Sequence, residues 1–229
     1  MVQKKDAFEE GYFWEYYMDL ERQFVEYLNY VPYLEGNEQT YSFRLVNLIL
    51  SIGAHIDSAF KEIARFPEFS NKYPELLNPK DKGGRRRKPN IKDYYQIESE
   101  YSLSQRKVLF KTIPERMPIF PFKDYDETKG FVPIWWSKHN KLKHKFSKEN
   151  FKLANLMTAR DALAGAFLLN VIHKPAVLRL DEYGLIVGKH IRSLSIRLYG
   201  KHFLKNSKPP ATIETEIFFY DYEDNPPYK

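Results

Sequence analysis

Apolar residues recur at three- and four-residue spacing through AFEEGYFWEYYMDLERQFVEYLNYV, residues 7–31. Phe13, Tyr17, Leu20, Phe24, Tyr27 and Val31 fall on one stripe with acids on other faces, which predicts an amphipathic helix that Pro32 stops. A second helix is expected to start after Asn37, in a region able to cap it, and to run through TYSFRLVNLILSIGAHIDSAFKEIAR until Pro67. A third begins near Pro133, whose fixed φ suits a first helical turn, and carries WWSKHNKLKHKF, residues 135–146. Ser147 offers a cap for a fourth, from about Lys148 to about His173, with Pro175 beyond it. Its alanines at 154, 159, 162, 164 and 166 allow close approach of neighbouring helices.

The helical period fails between the second and third of these segments. Residues 68–92 combine prolines, paired glycines and the run KDKGGRRRK, which predicts a loop. A short helix is expected over about 91–99, and a strand or a turn of helix over 106–112. Pro114, Pro118 and Pro121 then enforce an extended crossover. Beyond residue 175 the period shifts toward two. ATIETEIFFYDYE reads as one strand, LRLDEYGLIVGKHI as a hairpin and SLSIRLYG as a further strand. The expected fold is therefore mainly α. A four-to-five-helix bundle spans 1–175, with a loop-rich insertion at 68–132, and a small β-containing C-terminal extension covers 176–229.

The 229-residue chain is 43% apolar and 16% aromatic, enough to bury a sizeable core. It has no cysteine, which excludes disulfides and thiolate zinc sites. MVQKKDAFEE places charge where a signal peptide needs an apolar run, and the longest apolar stretch, roughly Ala162–Ile172, is far short of a membrane span. These features predict a soluble, cytoplasmic protein without a membrane partner.

The net charge of +6 is unevenly spread. Residues 80–90 hold six basic side chains and one acid, residues 138–152 hold six lysines and one glutamate, and the remainder is net acidic. Such clustering points toward a polyanion, with Arg85, Arg86, Arg87 and Lys88 in one run and Lys141, Lys143 and Lys145 in the other as nucleic-acid contacts. Each run alone reads equally well as a solvated surface.

Candidate chemistry concentrates in the third helix. At about 100° per residue, Trp135, His139, Leu142 and Phe146 share the side that would face the core, whereas Asn140 and His144 lie roughly 40° apart on nearly the opposite side. An imidazole exchanges protons near neutral pH, and neighbouring lysines favour its neutral form. Asn and Lys donate to phosphate oxygens. A base beside phosphate donors suits cleavage of RNA by its own 2′-hydroxyl; the same residues also read as solvated polar groups on a helix. No HExxH or paired-histidine spacing supports a metal site. GLIVGKH lacks the spacing and the Ser or Thr of a phosphate loop, so no cofactor is expected. The aromatic stripe of residues 12–33 reads as core or dimer contact in preference to a base-stacking platform.

Three segments carry a resemblance to a known family. YSFRLVNLILSIGAHIDSAFKEIA, WWSKHNKLKHKF and NFKLANLMTARDALAGAFLLNVI resemble successive helices of HEPN (higher eukaryotes and prokaryotes nucleotide-binding) domains, over about residues 7–173. The Asn-Lys-Leu-Lys-His block followed by a Phe-x-x-Ala helix is the most specific part. Many such domains are metal-independent ribonucleases that serve as toxins, phage-defence effectors or RNA processors, and others are inactive binding modules. They typically dimerise so that two motifs line one cleft. The resemblance implies that His144 is catalytic, that Asn140 and Lys138 are its polar partners, and that Asp57 is the acid often found on the second helix. The family's Arg-x(4–6)-His appears here as Lys138-x5-His144, which keeps the charge and loses the planar fork. Two expectations follow: a dimeric endoribonuclease acting on RNA, or an inactive HEPN-like module that binds RNA or a protein partner such as an antitoxin.

Overall fold

The computed structural model describes residues 7–111, 116–145, 147–187 and 211–222. Among them lie eight α-helices and one five-stranded antiparallel sheet, so the mainly α expectation holds. The first helix, α1, is Tyr12–Leu28, starting later than the expected 7–31 segment because Gly11 turns the chain at φ 85°. A side chain at Gly11 would also sit 2.5 Å from the Tyr183 hydroxyl. Helix α2 is Phe43–Arg65, and its cap is Ser42, whose Oγ accepts from Leu45 N at 3.1 Å. Asn37, expected near that cap, instead donates its side-chain amide to the Pro32 carbonyl at 3.0 Å within the α1–α2 connection. Among the described residues α2 is long and apolar enough by itself to suit a membrane span, but 56% of its most apolar stretch is buried inside the protein.

The expected open loop after α2 is largely built. Helix α3 covers Pro67–Lys72 and a 3-10 turn covers Pro74–Leu77, burying Phe69 and Leu76. The basic run then forms a tight turn in which Asp81 Oδ1 accepts from Gly83 N and Arg85 N, both at 2.9 Å. A second 3-10 turn, Ile91–Tyr94, leads into α4, Tyr95–Tyr101. Helix α5 is Ile134–His144. The long fourth helix of the sequence reading is divided. Ser147 caps only α6, Lys148–Phe151, and Asn155 then caps α7, Leu156–Ile172, by accepting from Thr158 N at 2.9 Å. Pro175 does not end the helical region. It lies in the first turn of α8, Lys174–Glu182, where its missing N–H costs nothing, and α8 leaves α7 at 81°.

Helix α7 is the centre of the molecule. All but two of its 17 residues are buried, and α1, α2, α5 and α8 pack around it. The strands β1 (Val108–Lys111), β2 (Arg116–Ile119), β3 (Ile186–Val187), β4 (Thr212–Glu214) and β5 (Phe218–Asp221) form the sheet in the order β2-β1-β5-β4-β3. The proline-marked crossover thus contains an edge strand. Pro118, on the edge strand β2 where a missing N–H can be tolerated, faces Leu109 of β1. The single strand expected at 211–223 is a hairpin, because Thr215 Oγ1 accepts from Phe218 N at 3.1 Å and turns the chain. The first half of the expected hairpin at 178–191 is α8; Ile186–Val187 pairs with Thr212–Ile213, and 188–191 lie outside the described residues. The strand expected at 193–200, the side chain of Phe146 and Pro114 lie outside the described residues. Because β1 pairs with β5, one sheet joins the insertion to the C-terminal segment. Glu21 on α1 anchors it, with Oε1 accepting from Ile217 N at 3.1 Å.

Candidate functional site

The orientation of α5 is set by its apolar side. Trp135, Trp136, His139 and Leu142 are buried, and Trp135 Nε1 donates to the Pro121 carbonyl at 2.7 Å. Close approach of α5 to α2 requires Gly53, since a Cβ there would fall 2.2 Å from His139 Nε2. This packing turns Asn140 and His144 outward, half-buried and exposed respectively, as the helical spacing predicts.

Between α2 and α5 lies a cleft of about 750 Å³. Helix α2 contributes Leu50, Gly53, Asp57 and Lys61; α5 contributes Trp136, His139, Asn140, Lys143 and His144; the segment Lys88–Lys92 forms the remaining wall. A second hollow of about 550 Å³ shares Asn140 and His144 and adds Lys141, Lys145 and Asn150. The amide and imidazole therefore stand where the two hollows meet. Four lysines line the cleft, at 61, 88, 92 and 143, against one carboxylate, Asp57, which is ion-paired to Lys61 one turn away. Among the described residues no carboxylate pairs with Lys88, Lys92 or Lys143. The cleft is electropositive, and partial enclosure strengthens its field.

The expected site residues are only partly brought together. Asp57, Asn140 and His144 share the cleft. Lys138 does not: its Nζ donates to Thr158 Oγ1 on α7 at 3.2 Å, on another flank of the helix. Burial lowers its pKa, against the opposing pull of the Asp161 carboxylate. Asp161 is itself raised by burial, although Arg160 bonds it through Nε at 2.8 Å and Nη2 at 2.5 Å. Of the basic run, only Lys88 reaches the cleft wall. Arg87 forks onto Asp93, at 2.7 and 2.5 Å, and with the Asn90 capping box this holds the wall in place. Arg85 and Arg86 are exposed on the turn beyond it. Lys141 and Lys145 belong to the second hollow.

Three titratable cleft residues, His139, Lys61 and Lys92, were not singled out as site residues by the sequence. His139, assigned to the apolar side, also forms part of the cleft lining, with its ring 4.9 Å from that of Trp136 and its Nδ1 lacking a hydrogen-bond partner. Burial, aided by the Lys143 charge, pushes its pKa down to about 4, so a neutral imidazole lies beneath the cations. Lys61 had a local signal, its i+4 spacing from Asp57. Lys92 had none, because only the tertiary fold brings 88–92 against α5. No group of three His, Asp or Glu side chains positioned to hold a metal ion occurs among the described residues.

The arrangement can hold an anion between lysines contributed by separate segments, offer it an amide, and present an exposed imidazole beside it. Comparison with protein-family models, curated proteins and solved structures returns no match.

Proposed function

We propose that this chain is a HEPN-type, metal-independent endoribonuclease. The long helices α1, α2, α5 and α7 are read as the HEPN-like bundle. The observation that carries this reading is the placement of Asn140 and His144, one turn apart, on an electropositive cleft that also holds Asp57. His144 takes the proton from an RNA 2′-hydroxyl, and that oxygen attacks the adjacent phosphorus. The P–O5′ bond breaks, the 5′-oxygen leaves as the 5′-hydroxyl of the downstream fragment by taking a proton from water, and the upstream fragment ends in a 2′,3′-cyclic phosphate. Asn140 and Lys143 hold the scissile phosphate; Lys143 takes the part that sequence alone gave to Lys138. The proposed setting is cytoplasmic RNA processing, toxicity or phage defence by a homodimer. Incubating total RNA with the protein in EDTA tests it. Fragments should end in cyclic phosphate, and His144→Ala should slow their release by about 100-fold or more. Cleavage that survives this substitution, or that needs magnesium, removes the assignment.

The position of Lys138 favours a second reading. With that cation engaged by α7, the family's positively charged motif partner is missing from the cleft, which suits a module that binds RNA or a protein without cutting. RNA affinity that falls steeply with salt, with no turnover, would select it.

A further inference from the structure

Beside the lysine cleft, across the other side of α2, lies a pocket of about 520 Å³ with different chemistry. Its walls include Tyr12, Phe13 and Tyr16 from α1 and His55 from α2. Tyr12 is 62% exposed and Tyr16 45% exposed, although both sit on the helix whose other aromatics fill the core. The two hollows share Ala54 and Ser58, exposed residues one turn apart on α2. The ridge between them therefore consists of two small side chains, low enough for one ligand to cross.

We propose that this aromatic pocket holds an unpaired nucleobase of a single-stranded RNA whose phosphates lie among Lys88, Lys92 and Lys143. The only charged side chain lining the pocket is that of Glu15, which disfavours a phosphate there and leaves the aromatic faces to take a base. His55 packs against Phe13 and edge-on to Tyr16, each at 5.3 Å between ring centroids, and is 2% exposed. Its Nε2 has no hydrogen-bond partner, an unsatisfied group of the kind that a base edge or a bridging water completes. Burial pushes the His55 pKa down to about 4, so the ring is neutral when a base arrives. A paired base already has its faces stacked and its edge engaged, so the pocket selects single strands.

This inference rests on the RNA reading of the cleft, and the experiment separates the two. Binding is measured by fluorescence anisotropy with three 2′-O-methyl oligonucleotides, whose blocked 2′-oxygen prevents cleavage: a single strand, the same backbone without bases, and a duplex. Tyr12→Ala combined with Tyr16→Ala should weaken single-strand binding about tenfold or more while leaving the abasic strand unaffected. The corresponding Tyr→Phe pair, which keeps the ring faces, should bind like wild type. The base pocket is overturned if the alanine pair binds the intact strand normally, or loses the abasic strand equally. It is also overturned if the tyrosines prove necessary only for a cationic peptide. If Lys88→Ala combined with Lys92→Ala abolishes binding while the tyrosine variants do not, the pocket alone is wrong. If no variant and no oligonucleotide shows binding, the cleft reading falls with it.

Discussion

Two flanks of α5 carry lysines to opposite ends. On one, Lys138 reaches toward α7, donates to Thr158 and lies within the field of the buried Asp161, already bonded by Arg160. On the other, Lys143 projects over the cleft with Lys88 and Lys92, and the only carboxylate lining that cleft is paired to Lys61. The two residues are five positions apart, about 140° around the helix, and identical in chemistry. What distinguishes them is the neighbouring element. A cation opposite a hydroxyl and a buried acid becomes part of the packing, whereas one opposite other cations keeps an uncompensated charge available to a ligand.

The largest expected effect concerns two buried imidazoles, His139 lining that cleft and His55 lining the aromatic pocket across α2. The native pKa values of His55 and His139, both about 4, lie below the ordinary imidazole value of 6.5, so the unfolded chain binds more protons between those limits. Stability from each ring is fully present above about pH 6.5 and lost as pH falls toward 4, by about 3 kcal/mol per ring. Urea unfolding at pH 7 and pH 4.5 checks this, and His139→Leu should flatten the acid limb. Next is the spacing of α2 and α5. Gly53→Ala forces a methyl into the His139 ring and should cost about 2 kcal/mol, read as a lower urea midpoint together with weaker RNA binding.

The remaining two variants test the comparison directly. Lys138→Met should lower stability by about 1 kcal/mol, by removing the Thr158 bond and one counter-charge to Asp161, while the salt slope of RNA binding stays as in wild type. Lys143→Ala should do the reverse, with stability within about 0.5 kcal/mol of wild type and the salt slope reduced by about one. If the two variants behave alike, the flanks are not functionally distinct.

Several elements of the fold were readable in order. The amphipathic stripes located α1 and α2, Pro133 marked the start of α5, and the arc between Asn140 and Trp135 predicted which α5 residues leave the core. Errors arose where one signal had two physical outcomes. Pro175 can stop a helix or open one, and α8 takes the second course because the chain bends sharply before it. Asn155 breaks the expected fourth helix because its side chain caps Thr158, a competition that helical periodicity does not register. The alternation in 211–223 hid a turn that Thr215 makes and that Glu21, nearly 200 positions earlier, completes.

By itself, the sequence determined the period of each helix, the outward direction of Asn140 and His144, and the two concentrations of positive charge, since all three depend on spacing within a short stretch. Tertiary structure decided which of those charges share a space. Placing Lys88 and Lys92 opposite Lys143, turning Lys138 toward α7 and seating His139 against Gly53 all depend on which helix lies across from which. That choice is made by packing between residues far apart in the chain, about which local spacing carries no information.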